Sequence, residues 1–248
     1  MLATVRPVSS RSAVLSLLLG SHPPALPVRD LVSAMESLGI SEATTRVAVS
    51  RMVTAGDLVR TGRTYALPER LLERQRRQDS AVEPVTVDWD GSWELAVVTA
   101  VRRQPADRAA LRTELTTLRL AELREGLWMR PANLDRPWPS HLAATTRRFL
   151  ARPDDDPSEL AGDLWDLSAW SEQGKDLLTL IASAVEPAVR FATMAAVVRH
   201  LLSDPVLPPA LQPADWPGDA LRRTYSDYRA ELSALIPTAA RTTLEEPS

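Results

Sequence analysis

The 248-residue chain has no cysteine, a single lysine at Lys175, three histidines and few aromatic residues, 5% in all. Without cysteine there is no disulfide framework, no thiol nucleophile, no cysteine-ligated zinc and no iron–sulfur cluster. Redox chemistry would need a bound organic cofactor, and none is expected. Lys175 sits in no glycine-rich phosphate loop, which leaves nucleotide hydrolysis and Schiff-base chemistry without their lysine. His22, His141 and His200 are too far apart in sequence for a metal-binding helix of the H-x-x-H or H-E-x-x-H kind, so no metal is expected either. Long apolar runs are missing too. Arg6 and Arg11 precede the apolar stretch 13–19 in imitation of a signal peptide, but Ser16 interrupts it and Gly20-Ser-His-Pro-Pro24 follows instead of a small-x-small cleavage site. It is also far short of the ~20 apolar residues a membrane span requires. A cytoplasmic chain with no membrane partner is the expectation.

What is present is the composition of an ordinary folded protein, 44% hydrophobic and 25% charged with a net charge of −3, long enough for more than one core. The mean charge conceals an asymmetry. Residues 1–80 carry eleven arginines against seven acids, net +4, whereas residues 81–248 are net −7. One end suits a polyanion and the other repels it.

The first seventy residues read as three helices and a hairpin. Ser9 or Ser10 caps a helix through Val14, Leu17 and Leu18 that stops at Gly20. A second helix shows Val28, Leu31, Val32, Met35 and Leu38 on one stripe, with Gly39 placed where positive φ is needed. Ser41 caps a third helix, Glu42 suits the positive end of its dipole, and Gly56 ends it. At 100° per residue that helix turns Thr45, Ala48, Val49, Met52 and Val53 inward. Ala43, Val47, Ser50 and Thr54 then point outward between Arg46 and Arg51, on a face without a carboxylate. Small residues between arginines suit approach to base edges and phosphates in a major groove. Short strands at 58–61 and 64–67 follow around Gly62-Arg63, with Tyr65 and Leu67 turned inward and Arg60 and Arg63 at the hairpin tip. This order predicts a winged helix-turn-helix that binds double-stranded DNA through Thr44, Arg46, Val47, Ser50 and Arg51, with Arg60 and Arg63 on the flanking backbone.

Residues 69–80 read as a polar helical extension or linker. Residues 93–101 form a strand apolar on both faces, Trp93, Leu95, Val97 and Val101 against Ala96, Val98 and Ala100, hence the middle of a covered sheet. A helix over 105–118, a strand at 127–131, a helix near 140–146 and a weak strand near 148–152 complete a ferredoxin-like pattern with one strand unplaced. Asp154-Asp-Asp156 reads as a surface loop. From Leu164 onward the pattern is helical: Leu167, Leu177, Leu178, Ile181 and Val185, then Pro187 at a helix start, and last Leu221, Tyr225, Tyr228, Leu232 and Leu235. A proline-stiffened stretch over 204–218 separates the final two helices. The expected class is therefore a multidomain α+β protein: a DNA-binding domain at 1–80, a ferredoxin-like α/β domain at 81–160 and a helical domain at 161–248.

Four stretches carry a resemblance to the PaaX-type transcriptional repressors: Gly39-Ile-Ser-Glu-Ala-Thr-Thr-Arg-Val-Ala-Val-Ser-Arg-Met52, Trp89-Asp-Gly-Ser-Trp93, Gly126-Leu-Trp-Met-Arg-Pro131, and Asp204-Pro with Leu207-Pro and Asp215-Trp-Pro-Gly218. The resemblance implies an N-terminal winged helix, a central ferredoxin-like domain similar to CRISPR-associated small nucleases and a C-terminal helical domain. It also implies a homodimer on an inverted-repeat operator, released by an acyl-CoA such as phenylacetyl-CoA. Arg46 and Arg51 fall on arginines that recur in the family's recognition helix. The tryptophans and the proline-stiffened loop further suggest an effector pocket between middle and C-terminal domains, walled by Trp165, Trp170 and Trp216, with Arg190 or Arg199 for a carboxylate or phosphate. Two other readings compete. Asp88 and Asp90 before the first middle-domain strand could hold Mg²⁺ in a nuclease, or the chain could be a scaffold indifferent to DNA.

Overall fold

The computed structural model describes residues 8–99 and 104–235, which fall into two compact units. Residues 8–82, 174–202 and 219–235 form the first, and 83–99, 104–173 and 203–218 the second. Ala100 and Val101, assigned to a strand above, lie outside the described residues, as does the side chain of Leu235. The architecture is mixed α/β with two small antiparallel sheets. Among the described residues no helix is long and apolar enough to cross a membrane.

In the first unit α1 (Ser10–Leu19) starts at Ser9, whose side chain accepts from the Ser12 amide at 3.2 Å. Helix α2 (Val28–Ser37) ends where the Gly39 amide bonds the Glu36 carbonyl and the Ile40 amide the Met35 carbonyl, both at 2.9 Å. Gly39 has φ +77°, a value that side chains with a Cβ resist. Helix α3 (Glu42–Thr54) opens at Ser41, whose hydroxyl oxygen accepts from the Thr44 amide at 3.3 Å. Strands β2 (Val59–Thr61) and β3 (Thr64–Ala66) pair in antiparallel register, Thr61 opposite Thr64, closed by the two-residue turn Gly62-Arg63. The sequence reading missed a third strand, β1 (Ala25–Pro27), which joins the free side of β3. It is short and ends in proline, so it carries no alternation to read. Val14, Leu18, Leu31, Met35, Val49 and Met52 form the core between α1, α2 and α3.

The polar stretch after the hairpin is helix α4 (Glu69–Val82), and two of its polar residues are buried. Gln75 Nε2 donates to the carbonyls of Leu19 (3.2 Å) and Ser21 (2.9 Å), satisfying acceptors that the end of α1 leaves open. Gln78 Nε2 donates to the Tyr225 hydroxyl at 3.0 Å. Helices α8 (Pro187–Leu201) and α9 (Gly218–Leu235) also contribute to this unit, together with α7 (Leu167–Ser183) from Gly174 onward. Proline occupies the first turn of α8, as the sequence predicts.

The second unit is built on β4 (Trp93–Val98), which carries apolar residues on both faces and, contrary to the reading of two wholly apolar faces, a buried Glu94 on one of them. Sheet order is β5-β6-β4-β7, with β5 at Ala121–Arg124, β6 at Leu127–Pro131 and β7 at Thr146–Ala151. Both β6 and β7 run antiparallel to β4. One face packs Trp93 and Met129 against Leu160, Ala161, Leu207 and Leu211. The other packs Ala96 and Trp128 against Leu111 and Leu115 of α5 (Pro105–Thr117) and against Leu142. Strand β5 is the one the sequence left unplaced. The helix expected near 140–146 is a 3-10 turn, Ser140–Ala144, and the weak last strand begins at Thr146. The acidic run is an exposed loop, as the sequence predicts, and its last residue, Asp156, caps α6 (Pro157–Leu164), accepting from the Ser158 and Glu159 amides at 2.8 and 3.1 Å.

A polar knot lies inside this unit. The Arg130 side chain, fully buried on β6, donates to the carbonyls of Pro131 (2.9 Å), Pro205 (3.2 Å) and Val206 (3.2 Å) and to Asn133 Oδ1 (2.7 Å). Val206 has φ +51°, a strained value for a β-branched residue. It is held from both sides: its amide donates to Asp204 Oδ1 at 2.7 Å, and its carbonyl also accepts from Asn133 Nδ2 at 3.0 Å. Buried Glu94 accepts from Arg136 (2.9 Å) and Arg148 (2.7 Å) nearby. Burial first, then Arg136 and Arg119, push Arg130 down to about 9, which leaves it charged at neutral pH.

Candidate nucleic-acid interface

The Ser41 cap fixes where α3 begins and therefore which residues its outer face carries. Thr45, Val49 and Met52 are buried and Ala48 and Val53 half-buried, while Ala43, Thr44, Val47, Ser50 and Thr54 are exposed. Val47, an apolar side chain with no solubility role, is 51% exposed. Arg46 and Arg51 flank this face. Arg51 has neither an ion pair nor a side-chain hydrogen bond among the described residues. Arg46 differs: its guanidinium bonds Glu42 Oε1 one turn earlier, Nε at 2.7 Å and Nη2 at 2.6 Å. The face expected to be free of carboxylates therefore has one at its N-terminal margin, because residues four apart share a side of a helix. Both partners are exposed, so the pair opens at little cost when a stronger anion arrives.

Thr44, Val47 and Arg51 line one shallow depression together with Ser10 and Arg11 from the start of α1. Its rim is tied down by Asp57. That carboxylate accepts from Arg11 (Nε at 3.0 Å, Nη2 at 2.7 Å) and from Arg70 Nη2 at 2.6 Å. The hydrogen bonds from Arg11 and Arg70 hold the Asp57 carboxyl below its ordinary range. At the hairpin, Arg60 folds back, donating to the Gly62 carbonyl at 3.0 Å and lying 5.9 Å from the Tyr65 ring centre. Arg63 projects exposed, while its carbonyl accepts from the Val28 amide at 2.9 Å and pins the turn to the start of α2. Five of the seven expected DNA contacts thus share the α3 face, and the two hairpin arginines stand apart in different roles.

The expected effector residues divide between the units. Trp165 packs against the core that contains Trp93 and Met129. Trp170 and Trp216 stack at 4.2 Å with an interplanar angle of 15°, and Trp170 Nε1 donates to Ser203 Oγ at 3.2 Å. All three tryptophans belong to the second unit. Arg190 and Arg199 belong to the first, where Arg190 pairs with Glu231 at 2.7 Å and lies 5.1 Å from the centre of the Tyr228 ring. Arg199 lines a cavity between α1, α4, α8 and α9 that no local sequence pattern marks, because its walls come from four separate segments of the chain.

Asp90 accepts from the Ser92 amide at 2.9 Å and pairs with Arg152 at 3.1 Å, the geometry of a turn. Those bonds, Ser92 first, lower its carboxyl. Among the described residues no group of three acids or histidines is placed to hold a metal ion.

These observations define a two-unit α/β chain with one acid-poor, arginine-flanked helix face. Three family models match it in succession: PaaX-like protein over residues 9–71, the PaaX protein central Cas2-like domain over 86–146, and the PaaX-like protein C-terminal domain over 165–241. The chain belongs to the PaaX-like family. Among solved structures it is similar to the uncharacterized protein Rv0674 from Mycobacterium tuberculosis, at 49% identity and a TM-score of 0.81, over 92% of this chain and 97% of that one. No curated protein matches it.

Proposed function

We propose that the chain is a DNA-binding transcriptional regulator, a homodimeric repressor whose α3 enters the major groove. The observation that carries this reading is the α3 face, where Thr44, Val47, Ser50 and Arg51 are exposed together and Arg46 is held only by an exposed partner. Membership of the PaaX-like family supports transcription regulation and DNA binding as its setting. Helix, strand, helix, helix and hairpin in that order support a winged helix-turn-helix, and the sheet order β5-β6-β4-β7 supports a ferredoxin-like middle domain. Two copies are needed because a single module buries little surface, and a two-fold axis then matches an inverted repeat. In this reading the chain catalyses nothing, needs no cofactor, works in the cytoplasm and answers to a small-molecule effector.

The test is to purify the protein with the DNA it retains, sequence that DNA, and measure binding to the recovered sites. A dimer in equilibrium sedimentation and a shared inverted repeat are the expected results. Retained DNA without any common sequence overturns the regulatory reading, and Mg²⁺-dependent cleavage of that DNA favours a nuclease instead.

A further inference from the structure

The cavity in the first unit has a volume of about 120 Å³. Its floor is apolar, formed by Leu17 of α1 and by Phe191, Met194 and Val198 of α8. Three arginines stand around it, Arg74 of α4, Arg199 of α8 and Arg229 of α9, and no acidic residue lines it. Arg74 and Arg199 have no ion pair or side-chain hydrogen bond among the described residues. The Tyr228 hydroxyl, also in the wall, has no hydrogen-bond partner there either. Burial pushes it up to about 12, so at neutral pH it remains a donor. An apolar floor beside the unpaired donors of Arg74, Arg199 and Tyr228 is the composition of a small-molecule site, and the guanidinium groups of Arg74 and Arg199, without a carboxylate partner, select an anion.

Size restricts the anion further. A cavity of about 150 Å³ lined by apolar side chains holds benzene, so this one takes one ring or a short branched chain. We propose that the cavity binds a small organic carboxylate with a compact apolar body, and that α1 carries its occupancy to the α3 face. The second half rests on the reading of α3 as the DNA-binding helix. Helix α1 is about 15 Å long; its last turn lines the cavity, and its first turn, with Ser10 and Arg11, borders the depression beside Thr44 and Arg51. A ligand that displaces the far end therefore changes how Arg11 and its partner Asp57 present the edge of α3. DNA affinity falls only if the DNA-competent form binds the ligand less well.

The experiment titrates benzoate and pentanoate, with benzamide as the uncharged control, into the full-length protein without DNA, following thermal denaturation. Both carboxylates should raise the transition and benzamide should not. Arg199→Ala should weaken binding about tenfold, and Ala195→Phe, which fills the cavity, should abolish it while leaving the far-ultraviolet dichroism unchanged. Binding that survives Ala195→Phe in a folded protein, or stabilisation by benzamide equal to that by benzoate, overturns the site. If Ala195→Phe fails to fold, Ala195→Leu replaces it under the same criteria. The same titrations into protein bound to its recovered DNA test the coupling, with a loss of affinity of about tenfold expected. Ligand binding with unchanged DNA affinity overturns the role of α1 alone. Intact DNA binding without any carboxylate effect overturns the site and leaves the regulator reading standing. A carboxylate site in a protein that retains no specific DNA does the reverse.

Discussion

In the first unit the arginines of α3 and of the hairpin lie at the surface, whereas in the second Arg130 is fully buried and the side chain of Arg136 is only 18% exposed. The same guanidinium group does opposite things in the two places. On α3 its donors face water and are held at most by one exposed acid, so their interactions are exchangeable. Inside the second unit the donors of Arg130 are taken by three main-chain carbonyls and by Asn133 Oδ1, and Arg136 bonds Glu94 and the Leu118 carbonyl, so removing either guanidinium leaves buried acceptors unsatisfied. Counting charges along the sequence cannot separate these cases, since Arg46 and Arg130 contribute equally to net charge. What separates them is whether the neighbouring backbone needs donors or has already satisfied itself within a helix.

The comparison can be broken most severely at Arg130. Arg130→Met should cost on the order of 3–5 kcal/mol by stranding its acceptors and neighbouring charges. All seven tryptophans belong to the second unit, so their fluorescence during urea denaturation reports on it directly. An unchanged fluorescence midpoint would show that the knot is not structural. The surface arginines should behave in the opposite way: Arg46→Ala with Arg51→Ala should leave the urea transition in place but lose ~1–3 kcal/mol of operator affinity for each base contact removed. Full affinity in that double variant excludes the docking proposed for α3.

A smaller effect sharpens the contrast within the first unit. Ser41→Ala should cost about 1 kcal/mol by removing the α3 cap, seen as a lower thermal transition in far-ultraviolet dichroism. The smallest effect is a pH dependence. Because Asp57 is held below its ordinary range, its clamp contributes stability above the unfolded carboxyl value near 4, and that contribution disappears as the pH falls through the lower folded value. Melting curves of the wild type and Asp57→Asn should therefore differ at neutral pH and converge in acid. A constant difference across that range would mean that the Arg11 and Arg70 contacts contribute nothing.

Capping and turn residues made the first unit readable. Ser9, Ser41, Gly39 and Gly62 each impose a backbone geometry that nothing else nearby can replace, and α1, α2, α3 and the hairpin begin or end where those residues stand. Strand β4 was legible because five of its six residues are apolar and spread over both faces, Glu94 being the exception. Elements whose cause lies far away in sequence were not. Gln75 looks like a solvated residue in a charged run until the end of α1 is brought against it. Arg130 sits in a strand where its charge argues for exposure, and only the carbonyls of Pro205 and Val206 explain its burial. The arginine-lined cavity is illegible for the same reason, as Leu17, Arg74, Arg199 and Arg229 acquire a common meaning only once four helices meet.

The interleaving of the two units sets the order in which they can be completed as the chain is synthesised. The first unit begins with α1 but lacks α8 until residue 201 and α9 until residue 235, by which time Leu207 and Leu211 have already closed one face of the β4 sheet. The unit that starts first is therefore the last to finish. Until α9 arrives, Phe191, Met194 and the end of α1 stay uncovered, and Gln78 waits for the hydroxyl of Tyr225. A nascent chain stalled before that point exposes apolar surface of the kind that chaperones hold.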